Sequence, residues 1–345
     1  MGLRRGLVLG AAATASMLLA WLRVRRRRGH RGFDCAFGDE LETDAKVAYR
    51  LVWGREEADA LVLCVHGLAG DSRAWVDLAP MIAALDGVKA IACVDLPGHG
   101  RTAIACPWRD DVASAAVAAI AGVARDAARR AGPVRRLVVV GFSMGTLHAT
   151  RFAAAASEHP APLAALALLC PVLAPNGSSF ERLLVPSPLF PIAWYFHGAD
   201  HVIASQADDF ALALADEKTR TAARRHVAAA ELRVEQQISG NGGYADRVGN
   251  EIRHLLSSND GTSLLAPALA NLLGSRAAPP RVVLLFGADD TVVGGGVPPN
   301  AAGLGAADVV VVPGAGHKPI STHPRAVVAA LAPLFTKTPL LKRAT

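Results

Sequence analysis

Leu137-Val138-Val139-Val140-Gly141-Phe142-Ser143-Met144-Gly145 is the stretch on which the reading of the fold turns. Its opening apolar run has no polar alternation, the pattern of a strand buried on both faces of a parallel sheet. Residues 144–157 read as a helix, so Ser143 falls on a sharp strand-to-helix turn. A nucleophile on such a turn holds its backbone in a strained conformation, and Gly141 and Gly145 keep side chains from crowding it. The G-x-S-x-G pattern alone is weak; the strand before it and the helix after it give it weight.

Working outward, the same alternation recurs. Residues 47–53, 60–65, 90–95, 163–170, 282–286 and 309–312 read as strands, and 72–85, 110–130 and 324–335 as helices. Short β-rich runs alternating with Ala-rich helical stretches predict an α/β fold, a mostly parallel central sheet flanked by helices. Between 173 and 280 the alternation stops. Pro171, Pro175, Pro186, Pro188 and Pro191 punctuate the start of that stretch, Pro279-Pro280 ends it, and 207–237 is its longest helical candidate. We therefore expect a helical cap over 173–280, inserted between a first part of the core at 33–172 and a second at 281–345.

With 345 residues, 52% hydrophobic and 19% charged, the chain has the composition of a packed globular protein, not a disordered or collagen-like one. The net charge of +6 belongs to one terminus. Residues 1–32 hold eight arginines and no acid, and the remainder carries 28 basic against 30 acidic residues. No basic stripe is left for a phosphate backbone, so nucleic acid is not an expected partner. Cys35, Cys64, Cys93, Cys106 and Cys170 lack metal-ligand spacing and read as reduced core residues. Glycine runs such as Gly294-Gly295-Gly296 lack the setting of a phosphate loop. We expect no metal and no cofactor.

Gly6 to Leu22 is an uncharged run of 17 residues flanked by arginines. As a helix it spans roughly 25 Å, short of a ~30 Å hydrocarbon core unless the flanking arginines snorkel. We read residues 1–32 as a single-pass membrane anchor with a basic flank. The heavier positive charge follows the run, which places the rest of the chain in the cytosol. A mitochondrial address is the alternative for an Arg-rich segment without acids. Asn176-Gly177-Ser178 is a glycosylation sequon that would matter only in a lumenal orientation.

The other strand ends carry the chemistry. His66-Gly67-Leu68 follows the strand at 60–65, and its turn lets the Leu68 amide join that of Met144 in facing a developing oxyanion. His66 itself reads as a structural histidine. Asp95-Leu96-Pro97-Gly98-His99-Gly100 reads as architecture, His99 included. Phe286-Gly287-Ala288-Asp289-Asp290 ends a later strand, and Pro313-Gly314-Ala315-Gly316-His317 follows the last. A serine is a poor nucleophile until a histidine takes its proton, and that imidazole needs a carboxylate to fix its tautomer. Strand-end turns in an open α/β sheet lie along one crevice.

On these five ordered motifs the chain resembles the α/β-hydrolase fold superfamily, in its cap-containing, monoacylglycerol-lipase- and carboxylesterase-like branch. The resemblance spans about residues 47–336. It implies Ser143, Asp290 and His317 as the catalytic triad, since the acid of such enzymes comes three residues after the strand-ending glycine, which selects Asp290 over Asp289. His317 is preferred to His323, which lies at a helix start. Thr146 stands where many relatives carry a second glycine, and Arg101 where they often have serine. A serine at the elbow, where related dehalogenases and epoxide hydrolases use aspartate, implies acyl transfer. The expected activity is hydrolysis of a small-molecule or lipid ester, such as a monoacylglycerol, at a membrane. The alternatives are an acyltransferase with the same triad and a noncatalytic binding protein of the same fold.

Overall fold

Along each apolar strand, residues two apart face the same side of the sheet, so a strand apolar at every position needs a layer on both sides. The computed structural model of the chain, which describes residues 37–68, 70–102, 112–172, 265–274, 279–290, 292 and 307–336, has that arrangement. The elements in order are β1 (Asp39–Glu42), β2 (Ala48–Trp53), β3 (Ala60–Val65), α1 (Ala79–Ala83), β4 (Val88–Val94), α2 (Val112–Ala131), β5 (Arg136–Phe142), α3 (Gly145–Ala154), β6 (Leu163–Leu169), α4 (Ala266–Gly274), β7 (Arg281–Gly287), β8 (Ala307–Val312), α5 (Pro319–Thr322) and α6 (Pro324–Leu331). The expected N-terminal anchor, the sequon and most of the expected cap lie outside the described residues.

The strands form one sheet in the order β1-β2-β4-β3-β5-β6-β7-β8. β2 runs antiparallel to β1 and β4, and the pairings from β4 to β8 are parallel. From β3 the chain moves outward to β4, then returns to lay β5 on the other side of β3. The strand order therefore reverses between β3 and β5, the place where open α/β sheets bind ligands at the carboxyl ends of their strands. Leu61, Leu63, Val65, Leu137 and Val139 face one layer, with Ile120 of α2, Phe152 of α3 and Leu269 of α4. Val62, Cys64, Val138 and Val140 face the other, with Trp75, Ile82 of α1 and Leu331 of α6. Each such buried aliphatic side chain contributes about 1.5–3 kcal/mol.

Three details differ from the sequence reading or extend it. The helix expected over 72–85 is a 3-10 turn, Ser72–Trp75, followed by the short α1. Asp71 starts the turn by accepting the Arg73 N–H, and Pro80, with no N–H to donate, fits only the first turn of a new helix. β1 was not anticipated because three of its four residues are acidic, a type depleted in strands. It is held at the sheet edge by ion pairs from Glu40 to Arg50 and Arg101 and by the Trp53 indole N–H on Asp39. α4 falls within the stretch read as cap, yet Leu265, Leu269 and Leu272 are buried with Ala149 and Phe152 of α3. Among the described residues, no helix is long and apolar enough to cross a membrane.

A buried polar contact clips α2 to the sheet. The fully buried Tyr49 donates its phenol O–H to Asp126 at 2.6 Å, and Arg129 and Arg130 pair with the same carboxylate. Burial pushes the Asp126 carboxyl up, but the bonds from Tyr49 and the two arginines outweigh it and hold it below its ordinary value. Burial, reinforced by Asp126, pushes the Tyr49 phenol well above the ordinary value of about 10. Above pH 10 the unfolded phenol ionises while the folded one keeps its proton, so this contribution to stability is complete below pH 10 and is lost as pH rises. Tyr49→Phe is expected to cost about 1.5–3 kcal/mol at pH 8. In denaturant titrations the gap to the parent protein should narrow from pH 10 upward; a constant gap contradicts the account.

Candidate functional site

Ser143 occupies the turn between β5 and α3 with φ +51°, a left-handed conformation that costs a non-glycine residue on the order of 1–3 kcal/mol. Three bonds hold it there. Its N–H donates to the Leu169 carbonyl at 2.9 Å, and its carbonyl accepts the Thr146 N–H at 3.0 Å and the Thr146 hydroxyl at 2.6 Å. Thr146, noted in the sequence only as a departure from glycine, thus braces the turn. Gly145 allows α3 to begin against the end of β3: a Cβ there would lie 2.3 Å from the His66 carbonyl oxygen and 2.4 Å from that of Val65. No side chain fits in that contact.

The same approach brings the His66-Gly67-Leu68 turn to Ser143. A Cβ on Gly67 would stand 2.9 Å from the Ser143 Cβ. The His66 ring is fully buried and fixes this turn: its Nδ1–H donates to the Gly67 carbonyl at 2.8 Å and its Nε2 accepts the Leu96 N–H at 3.1 Å. Those two bonds commit both ring nitrogens to backbone, as the structural reading of His66 expected. His99 is also buried, with its ring centroid 5.0 Å from that of His66. Asp95 organises the loop beneath, accepting N–H groups of Ser72 at 2.7 Å and Arg101 at 3.0 Å. Burial, then the nearby Asp71 carboxylate, raises its pKa against those bonds.

Asp290 and His317 arrive from the ends of β7 and β8. Their loops meet at Gly287, where a Cβ would lie 2.1 Å from the Gly316 carbonyl oxygen. Asp290 is fully buried, while Asp289 points to solvent. One Asp290 oxygen accepts the Val292 N–H at 2.9 Å, and the other faces His317 Nδ1 at 2.9 Å. His317 Nε2 is 2.9 Å from Ser143 Oγ. The imidazole packs against Phe142, ring centroids 5.4 Å apart, and is 6% exposed, with Ser143 9% exposed. His323 lies apart from this line, between α5 and α6, with its Nδ1 3.0 Å from the Thr322 hydroxyl. Burial lowers its pKa.

Serine, imidazole and carboxylate therefore form one hydrogen-bonded line, contributed by three strand ends. The family model described as alpha/beta hydrolase fold matches residues 60–324. The chain belongs to the α/β-hydrolase fold family. It is 40% identical to Lipase LipV of Mycobacterium tuberculosis over 125 residues, 36% of this chain and 42% of that lipase, so the match spans less than half of the relative's length. A thermophilic esterase from Thermogutta terrifontis, solved with malate bound, superposes with a TM-score of 0.57 at 20% identity over 87% of this chain and 100% of the other. A bacterial membrane phospholipase A superposes with a TM-score of 0.55 at 20% identity over 97% of this chain and 99% of that one. At such identities the two solved structures speak for the fold.

Of the five site residues read from the sequence, the structure sets Ser143 and Asp290 on either side of His317 in one hydrogen-bonded line, puts Met144 at the N-cap of α3, and carries Leu68 on the turn beside Ser143. Sequence reading missed Thr146 as a brace and the Val292 amide on Asp290, because both are contacts of backbone atoms that no motif spells out. Gly287→Ala is expected to move the His317 loop and to lower stability by about 1–3 kcal/mol. It should also slow labelling of Ser143 by a fluorophosphonate about 100-fold, the cost of displacing a reacting group by about an ångström. Labelling at the parent rate would show that the two loops do not depend on this contact.

Proposed function

We propose that the chain is a serine hydrolase that cleaves carboxylic esters through an acyl-enzyme, with Ser143 as nucleophile, His317 as general base and Asp290 as its orienting partner. The observation that carries this reading is the line from Ser143 Oγ to His317 Nε2 to Asp290, with both contacts at 2.9 Å. With the Nδ1–H donated to Asp290, Nε2 is left with its lone pair toward Ser143 Oγ and takes that proton as the oxygen attacks the ester carbonyl. The Ser143 amide is already bonded to Leu169, so the oxyanion falls to the amides of Met144, at the positive end of α3, and Leu68. His317 then returns the proton to the leaving alcohol, and water resolves the acyl-enzyme by the same steps in reverse.

The substrate we propose is a lipid ester, such as a monoacylglycerol or lysophospholipid, met at a membrane to which residues 1–32 anchor the chain with its catalytic part in the cytosol. Support comes from the apolar run Gly6 to Leu22 and from the apolar Leu183-Leu184-Val185 and Pro188-Leu189-Phe190-Pro191-Ile192-Ala193-Trp194 of the proposed cap over 173–280. At roughly 3.3–3.6 Å per residue, the tether after Leu22 keeps the site close to the bilayer. The partial likeness to a lipase and the fold likeness to a membrane phospholipase A point the same way.

The test is turnover of esters from short-chain nitrophenyl esters to monoacylglycerols and lysophospholipids by detergent-solubilised full-length protein. Long-chain lipid esters should be preferred, and Ser143→Ala should abolish turnover while keeping the parent melting profile. Activity confined to short soluble esters would remove the lipid reading, and an active Ser143→Ala variant would remove the mechanism. Asp290→Asn should lower kcat by about 10⁴, because the amide favours the wrong imidazole tautomer, whereas Asp289→Asn should turn over at the parent rate. Equal loss in both variants would contradict the assignment of the acid.

A further inference from the structure

Cys170, the residue just after β6, is fully buried at φ +46°. A non-glycine residue keeps that conformation only where its surroundings impose it, and such strain gathers at functional sites. Here the Cys170 N–H is pinned to the Leu285 carbonyl on β7 at 2.7 Å. The consequence is a thiol set beside the acid–base pair: the Cys170 sulfur, an Asp290 carboxylate oxygen and a His317 ring nitrogen all lie within 4.8 Å of one another, on three buried residues. Ester hydrolysis uses the carboxylate and the imidazole and has no step for a thiol.

We propose that Cys170, Asp290 and His317 form a binding site for a thiophilic divalent cation, with zinc the best fit, and that the bound ion switches the serine site off. Three protein ligands of sulfur, nitrogen and oxygen type, with a fourth position for water, suit zinc; magnesium and calcium require oxygen donors. Bonds of about 2.3 Å to sulfur and 2.0–2.2 Å to nitrogen and oxygen set ligand atoms roughly 3.2–3.6 Å apart around a tetrahedral ion. The cluster reaches that spacing by drawing the sulfur in by up to about 1.5 Å and slightly opening the Asp290–His317 contact. A thiolate and a carboxylate cancel the charge of the ion, so the filled site buries no net charge.

The effect on the triad follows from the tautomer. The ion takes the Nδ1 lone pair, and the proton that lay between Nδ1 and Asp290 moves to Nε2. The Cys170 thiol proton leaves to solvent, the one proton released per ion bound. Nε2 then carries a hydrogen toward Ser143 Oγ at 2.9 Å and no longer accepts one. Cys170 lies 120 residues before Asp290 and 147 before His317, which is why cysteine spacing along the chain gave no sign of zinc.

The mechanism of switching rests on the hydrolase reading, so the test separates binding from inhibition. Metal-free full-length protein is titrated with ZnCl₂ against a chromophoric chelator, and the rate of fluorophosphonate labelling of Ser143 is followed in parallel, with MgCl₂ as control. The expected result is about one zinc bound per chain, labelling suppressed by zinc, restored by EDTA and indifferent to magnesium. Cys170→Ser should raise the zinc concentration for binding and for half-suppression at least about tenfold, each variant being compared with its own metal-free rate. Cys170→Ala repeats the test should the serine variant melt early, and Ser143→Ala should bind zinc like the parent. Absence of zinc binding, or equal zinc sensitivity in the parent and the Cys170 variants, overturns the site. Cys170-dependent zinc binding in a protein that never labels at Ser143 upholds the site and overturns the hydrolase reading instead.

Discussion

The start of α3 rests directly on the carbonyl groups that end β3, and the geometry of the site depends on that backbone contact. With two carbonyl oxygens inside 2.5 Å of where a Cβ would stand, no residue but glycine serves at position 145. The contact decides where the helix begins, and so where the strained serine before it is held. It also draws the Leu68 turn to the serine. A second contact of the same kind, Gly287 on the Gly316 carbonyl, joins the loops of Asp290 and His317. The first sits on strands buried on two faces, and the second joins the buried β7 to the loop after the half-exposed edge strand β8.

Three buried carboxylates are kept in three different ways, and the difference sorts structure from chemistry. Asp126 is surrounded by a phenol and two guanidiniums and stays ionised. Asp95 has backbone N–H donors among its partners and a second carboxylate nearby, and burial raises its pKa. Asp290 has a backbone N–H and an imidazole among its partners. Only in the last case does the partner reach onward to a group that can react. A guanidinium in place of the imidazole would satisfy the same carboxylate and leave no acceptor for the Ser143 hydroxyl.

What was legible in the sequence was what periodicity and strand-end motifs encode. The unbroken apolar runs of β3, β5 and β6 identify doubly covered parallel strands, and the resemblance carried by the turns after them singles out Ser143, Asp290 and His317, which the structure sets in one hydrogen-bonded line. Asp290 is preferred to Asp289 on the resemblance, which implies an acid three residues after the strand-ending glycine, Gly287. The acidic β1 was illegible because its charges are met by Arg50 on β2 and Arg101 in the loop after β4. The interruption of 72–85 was illegible for a local reason: Pro80 is tolerated in the first turn of a helix, so it marked a boundary that composition alone read as continuous. The brace from Thr146 and the nearness of Cys170 to the triad are products of folding, invisible to spacing.

The ends of β5 and β6 share one device. Ser143 and Cys170 each stand one position past a strand, each is left-handed, and each still donates its N–H to the next strand over: Ser143 to Leu169 on β6, Cys170 to Leu285 on β7. The ladder is thus carried one residue beyond the strands, and then each chain turns sharply away, β5 into α3 and β6 toward Pro171. Because the Ser143 N–H bond is to the residue just before Cys170, the two strained positions are adjacent links of one staircase. A single backbone hydrogen bond therefore links the end of β6 to Ser143, and the thiol side chain held by that staircase lies close to His317. The strain at Cys170 belongs to the same site as the strain at Ser143, even though one of them has no part in the chemistry of ester cleavage.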